Sequence, residues 1–271
     1  MDVIDYRAPK KLLGVARGHP YKRDAFAGLW SKLEGFDACL VEQPLAASLM
    51  GEDLAADYDA LLCYDMPGVD FGKGGAAALP PEGFCDAYLA MLDAGIGVVY
   101  LHHSLAAWPS WDEYARIIGG RFHYQPARLA GDEYPDSGYR HRVRHRLAVM
   151  SEHPVTAGLP AEFEMTDELY LCPIFSEDIT PLLRSDYHFD SENFFSAANA
   201  VAGDLNSREG WSHPTGSNIV AWAKSWGNSP LVYIQGGDDA KALRDPNFRR
   251  LVQNALRWVS SDEARAWAGQ Q

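Results

Sequence analysis

Two adjacent histidines, His102 and His103, close the apolar run Gly97–Leu101. Imidazole changes charge near neutrality, gives or takes a proton, and binds metals through either ring nitrogen, so a pair at the end of a buried strand points to chemistry. Groups that could join it are dispersed along the chain. His19 lies in Arg17-Gly-His-Pro-Tyr21, Tyr64 and Asp65 end another apolar run, Asp167 and Glu168 follow later, and Asp238 comes after Gly236-Gly237. His103, His19 and Glu168 are assigned the catalytic work. His102, Ser104, Tyr64, Asp65, Trp108, Asp167 and Asp238 are expected to line the substrate. His19, His103 and Glu168 have the composition of a divalent-metal site, zinc for example, and equally of a metal-free acid/base set; the residue types leave both open. Ser104 has a histidine neighbour, but adjacent residues on a turn rarely point together, which argues against a Ser–His nucleophile. Trp108, Trp111 and Tyr21 offer stacking faces for a ring-shaped ligand.

The elements that must position these groups are legible as buried strands alternating with helices. Residues 97–101 are read as a strand buried on both faces and 12–16 as a first buried strand; 36–41 and 58–64 are read as the second and third strands, and helices fall between them. Asp24 is expected to cap a first helix, Pro81 to start a second and Ser110 to cap a third. Strands alternating with helices give an α/β fold, a doubly wound and mostly parallel sheet with helices on both faces. In such sheets ligands bind at the carboxyl ends of the strands, where His102 and His103 sit. The closing run Asp245-Pro-Asn-Phe-Arg-Arg-Leu-Val is a capped amphipathic helix, Asp245 the cap and Pro246 in the first turn. Residues 163–165 and 169–171 read as a strand pair around the loop 166–168.

Strict alternation along Tyr139-Arg-His-Arg-Val-Arg-His-Arg146 puts Arg140, Arg142, Arg144 and Arg146 on one face, and His141, Val143, His145 and Leu147 on the other. The arginine stripe must face solvent, an acidic partner surface or an anionic ligand; the solvated or intersubunit reading is preferred, which allows a homo-oligomer. Segment 71–81 is a Gly/Ala/Pro-rich surface connection. Residues 186–217 show little periodicity and read as a lid or insertion. Without an internal repeat or linker, residues 1–271 are read as a single domain.

The chain has 271 residues, 47% of them hydrophobic, and a formal net charge of −13. That charge argues against nucleic acid or an anionic membrane surface as partner, since both demand a positive field. Cys39, Cys63, Cys85 and Cys172 are spaced too widely for a paired zinc motif and read as reduced thiols of a cytoplasmic protein. The charged amino terminus is not a secretory signal, and no stretch approaches a spanning helix.

Several segments, in this order, resemble the trehalose-utilisation (ThuA-like) family: Gly18-His-Pro20; Leu101-His-His-Ser-Leu-Ala-Ala-Trp-Pro-Ser-Trp111; Tyr114-Ala-Arg-Ile-Ile-Gly-Gly-Arg-Phe122; His153-Pro-Val-Thr-Ala-Gly-Leu-Pro160; Thr166-Asp-Glu-Leu-Tyr170; and Asp245-Pro-Asn-Phe-Arg-Arg250 with Trp258. The resemblance implies the fold of class I glutamine amidotransferases, flavodoxin-like in topology. At the place of their nucleophilic cysteine this chain has His102 and His103, with no glycine beside them, so it is not read as a glutamine amidotransferase. Two departures stand out. Members commonly carry Gly-His-Asp where this chain has Gly236-Gly237-Asp238, and a histidine or similar group where it has Lys224, so one wall of the pocket has lost imidazoles.

The resemblance implies an enzyme acting on a carbohydrate or keto-sugar derivative by hydrolysis, elimination or isomerisation, with general acid/base catalysis that a divalent metal could assist. His103 or Glu168 would remove a proton, and His19 or a metal would polarise a carbonyl. The alternative is a non-catalytic small-molecule-binding or regulatory module of the same fold.

Overall fold

The strands that run through the middle of the molecule are almost wholly apolar, which forces both of their faces under cover. Residues 10–270 are described by a computed structural model. In chain order the main strands are β1 (Lys10–Arg17), β2 (Phe36–Glu42), β3 (Ala60–Asp65), β4 (Gly97–Leu101), β5 (Gly138–Val149), β6 (Glu162–Leu171), β7 (Thr180–Ser185), β8 (Ile219–Trp226) and β9 (Ser229–Ile234). Every residue of β3, β4 and β9 is buried, as expected of strands covered on both sides.

They form one sheet in the order β6-β5-β7-β8-β9-β4-β3-β1-β2, and the short strand Phe195–Ser196 pairs with β5. Strands β2, β1, β3, β4 and β9 are parallel neighbours. From β9 outward through β8, β7, β5 and β6 the pairing is antiparallel. Helices α1 (Arg23–Trp30), α2 (Glu52–Asp57), α3 (Phe84–Asp93), α4 (Asp112–Ile118), α5 (Ala197–Val201), α6 (Pro246–Val259) and α7 (Asp262–Ala268) complete the fold. Phe26 of α1, Leu251 of α6 and Ala264 of α7 pack with Leu12, Leu62 and Val99 on one face. Leu54 of α2, Met91 of α3 and Ile117 of α4 pack with Leu13, Leu61 and Val98 on the other. The architecture is the doubly wound α/β sheet expected from the sequence.

Several local expectations need correction. The first helix starts at Arg23 with Asp24 inside its first turn rather than capping it. Helix α3 starts at Phe84, three residues after Pro81, and α4 starts at Asp112, the Ser110 hydroxyl donating instead to the Ala78 carbonyl. Residues 162–171 form one continuous strand, without a loop at 166–168, because β5 pairs with it on both sides of a bulge at Glu168. Segment 71–81 contributes a short strand pair, Val69–Asp70 with Ala76–Ala77. The Asp245 cap holds: its carboxylate accepts from the backbone N–H of Asn247 and Phe248. Of the charged amino terminus, residues 1–9 lie outside the described residues. Among the described residues no helix is long and apolar enough to cross a membrane.

Candidate functional site

Two strand ends and one bulge build the site. Strand β4 runs directly into the turn His102–Ala106, with His102 in the left-handed region at φ 46°. Strand β9, its parallel neighbour, ends at Ile234 and is followed by Gln235, Gly236, Gly237 and Asp238. Strand β6 brings Asp167 and Glu168. Opposite Glu168 the ladder slips: Asp167 faces Val143 and Leu169 faces Arg140, so His141 and Arg142 together oppose Glu168 alone, with Arg142 at φ 56°. This β-bulge re-aims side chains. Val143 and Leu147 join the core on one face of the sheet while Tyr139 joins the core on the other, and His141 turns to Glu168.

Glu168 then stands between two imidazoles. Its Oε2 is 3.1 Å from His102 Nε2 and its Oε1 is 3.1 Å from His141 Nδ1. Asp238 faces the same pair at 3.7 and 3.8 Å, distances at which it acts as a charge rather than a hydrogen-bond acceptor. His102 Nδ1–H donates to the Gln235 carbonyl at 2.7 Å; a carbonyl only accepts, so Nε2 is the nitrogen turned towards the carboxylates, and the Tyr170 hydroxyl is 2.7 Å from it. Asp167 fixes the loop beneath: its carboxylate accepts from the N–H groups of Gly237 at 2.6 Å, Glu168 at 2.9 Å and Asp238 at 3.2 Å. Above this floor opens a cleft of about 1110 Å³, lined by His141 and Asp238 and by Arg140, Arg142, Phe195 and Lys241 among others.

The electrostatics divide the histidines. Burial disfavours a charged His102, but Asp238 and Glu168 outweigh it and hold its pKa well above the usual imidazole value. Asp238 is raised by burial and lowered more strongly by His102 and His141, ending well below the carboxylate range. Asp238 raises His141, burial opposing and Glu168 adding to the rise. His19 and His103 go the other way, lowered first by burial and then by the charge of His102. Burial pushes the Asp167 carboxyl up to about 7, against the pull of His102 and its backbone donors.

A family profile described as ThuA, trehalose utilisation, matches residues 18–259. The chain belongs to the ThuA family. Two solved ThuA-like proteins share its fold. One, from Parabacteroides merdae, superposes with a TM-score of 0.65 at 18% identity, covering 93% of this chain and 90% of the other. The second, from Bacteroides uniformis, has a TM-score of 0.63 at 19% identity, covering 96% and 95%. A cytoplasmic protein from Salmonella typhimurium aligns with a TM-score of 0.54 at 9% identity, over 92% of this chain and 99% of that one. At such identities these likenesses show the fold alone. No curated protein matches the sequence. ThuA membership points to a role in sugar metabolism and assigns no reaction.

Against the ThuA resemblance, the expected site residues fall into groups. His19 and His103 do converge, with ring centroids 5.0 Å apart. Glu168, however, pairs with His102 and His141 rather than with His103, whose Nε2–H donates to the Tyr64 carbonyl at 3.2 Å in a buried position. The candidate cation set is therefore His102, Glu168 and Asp238, whose ligand atoms lie within 4.8 Å of one another, in place of His19, His103 and Glu168. With Nδ1 tied to a carbonyl and Nε2 facing two carboxylates, this donor set fits a divalent cation such as zinc.

Four residues expected to line the substrate do structural work instead. Ser104 Oγ is buried and donates to the Cys63 carbonyl at 2.9 Å. Asp65 alternates to the opposite face of β3 from Tyr64 and accepts from Gln43, its carboxyl raised to about 6 by burial. Trp108 is buried against Phe84. Tyr64 is buried and its hydroxyl donates to the Gly237 carbonyl at 2.6 Å. Asp167 likewise acts through the loop that it holds. Lys224 is also away from the cleft, its ammonium on the Arg116 carbonyl and above the Trp226 ring. Sequence alternation missed His141 because the bulge carries no composition signal; a mid-strand His between arginines, opposite an acidic pair, was the one cue.

Proposed function

We propose that the protein is an enzyme of sugar metabolism that moves a proton on a carbohydrate or keto-sugar derivative, in a hydrolysis, elimination or isomerisation. The observation that supports it is Glu168 bridging His102 and His141 beneath a large cleft. Acid/base sites work by pushing the pKa values of neighbouring groups apart. His141, half-exposed and raised, is the general acid that protonates or polarises a sugar oxygen. His19, lowered, donates Nδ1–H to the Pro20 carbonyl at 2.9 Å, which leaves its Nε2 lone pair as the base. His102 and Glu168 position His141, and His103 packs beside His19. A keto group in the substrate would acidify the adjoining carbon and lower the barrier to abstraction.

A second reading rests on the His102, Glu168 and Asp238 set. A divalent cation held there would supply Lewis-acid polarisation of a sugar oxygen; His141 would still transfer the proton. Residues 10–270 are read as one domain in which 186–217 is a packed insertion that lends Phe195 and Asn206 to the cleft. The four free cysteines support a reducing compartment, the cytoplasm.

The test is a screen of glycosides and keto-sugars by mass spectrometry, with wild type, His141→Gln and His19→Gln compared. Product formed by wild type and lost in both variants supports the reading. Binding without product assigns a binding module instead. Turnover that survives dialysis against a chelator supports direct proton transfer, and turnover lost and restored by zinc assigns the metal.

A further inference from the structure

The walls of the cleft carry a charge pattern opposite to that of the chain. Against a net charge of −13, the cleft is lined by Lys22, Arg140, Arg142, Lys241 and Arg244. Among the described residues, none of these five cations forms an ion pair with a carboxylate, although Arg144 and Arg146, further along the strand that carries Arg140 and Arg142, are paired with Glu164 and Glu162. Lys241 Nζ donates only to the neutral Thr166 hydroxyl at 2.9 Å, and the Arg140 guanidinium lies 4.5 Å over the Phe195 ring. The three carboxylates of the cleft are already engaged. Asp238 faces His102 and His141, Asp239 accepts from the N–H of Lys241 and Ala242, and Asp245 caps α6.

Unpaired cations gathered on a concave surface repel one another and raise the local concentration of anions. Guanidinium forks match the oxygens of carboxylate and phosphate groups. The bulge that turns His141 inward also sends Arg142 into the cleft, so the acid/base floor and the cationic wall are set by one backbone feature.

From this we infer that the ligand of the cleft is anionic, a sugar acid or a sugar phosphate, whose carboxylate or phosphate is seated by Arg142, Lys241 and Arg244 while the ring reaches His141. This deepens the proposed function and rests on it for the sugar; the anion seat itself does not need the sugar.

Isothermal titration calorimetry of the full chain at constant ionic strength tests it with glucose 6-phosphate, glucuronate, glucose and inorganic phosphate. The anionic sugars bind at least tenfold tighter than glucose, and Arg142→Ala and Lys241→Ala each weaken them by about tenfold to a hundredfold with an unchanged melting temperature. Preference for glucose 6-phosphate identifies the phosphate source, and preference for glucuronate the carboxylate source. Binding of inorganic phosphate that is lost in the two variants, with no sugar bound, upholds the anion seat and removes the sugar reading. Equal affinity for glucose and both anionic sugars, or anion binding indifferent to both substitutions, overturns the inference.

Discussion

Glu168 Oε1 lies 3.1 Å from His141 Nδ1 although strict strand alternation would turn His141 to the buried face with Val143 and His145. One extra residue on β5 makes the difference. Without it the floor of the cleft would hold carboxylates and His102 but no accessible proton donor.

The raised pKa of His141 and the lowered pKa of His19 fix the shape of the rate profile. His141 acts when protonated, so kcat/KM falls as pH rises through a value above the ordinary ~6.5 of histidine; His19 acts when neutral, so it falls on the acid side below ~6.5. Glu168→Gln removes the carboxylate that both imidazoles share. We expect kcat/KM to drop by about 10²–10⁴ and the alkaline limb to move to lower pH. An alkaline limb that stays in place in Glu168→Gln would separate this carboxylate from the acid.

Gly237 has φ +119°, and a Cβ there would meet the Phe248 ring at 3.2 Å. Its carbonyl accepts from Tyr64 and its N–H donates to Asp167, so strain at this residue is passed to Asp238. Gly237→Ala is expected to cost about 1–3 kcal/mol in urea denaturation and to lower kcat. A variant with wild-type stability and kcat would show that the loop tolerates the side chain.

What composition and periodicity carried was the layered fold: buried apolar runs, helices between them, and the strand end at which the buried His102 sits. What they could not carry was register. Glu168 and Asp238 were expected in the site because strand ends converge there, yet their partners are set by which residues sit opposite, and that is decided by the bulge at His141 and Arg142. Ser104 and Asp65 looked polar enough to be functional. Ser104, in the turn after β4, instead donates to the Cys63 carbonyl, and Asp65, at the end of β3, accepts from the Gln43 side chain.

His145 tests the acid limit of the fold. It is buried among Leu147, Phe163 and Met165, its Nδ1 on the Ser185 hydroxyl at 2.8 Å and its Nε2 without a partner among the described residues. Burial lowers its pKa to about 4. The unfolded chain takes up this proton near 6.5 and the folded one only near 4, so stability falls as pH drops through that window. His145→Leu removes the term. Relative to wild type it should gain about 2 kcal/mol between pH 7 and pH 5 in denaturant titrations. Parallel curves would mean that His145 is not held neutral.

His102 has the opposite linkage. Its folded pKa is raised above the unfolded ~6.5, so its contribution is whole below ~6.5 and is lost as pH rises through the folded value. Asp238 is depressed, so its contribution is whole above ~3.9 and is lost as pH falls through the folded value. The stabilisation that depends on both charges is therefore greatest between about pH 4 and 6.5. His102→Gln leaves Glu168 and Asp238 near each other without the imidazolium between them, and breaking a buried pair in this way costs about 3–5 kcal/mol. Urea denaturation of wild type and variant from pH 4 to pH 9 should show the largest gap in that window, narrowing above it as wild-type His102 loses its proton. A gap of constant size across the range would mean that His102 fills space beside Tyr170 and carries no charge.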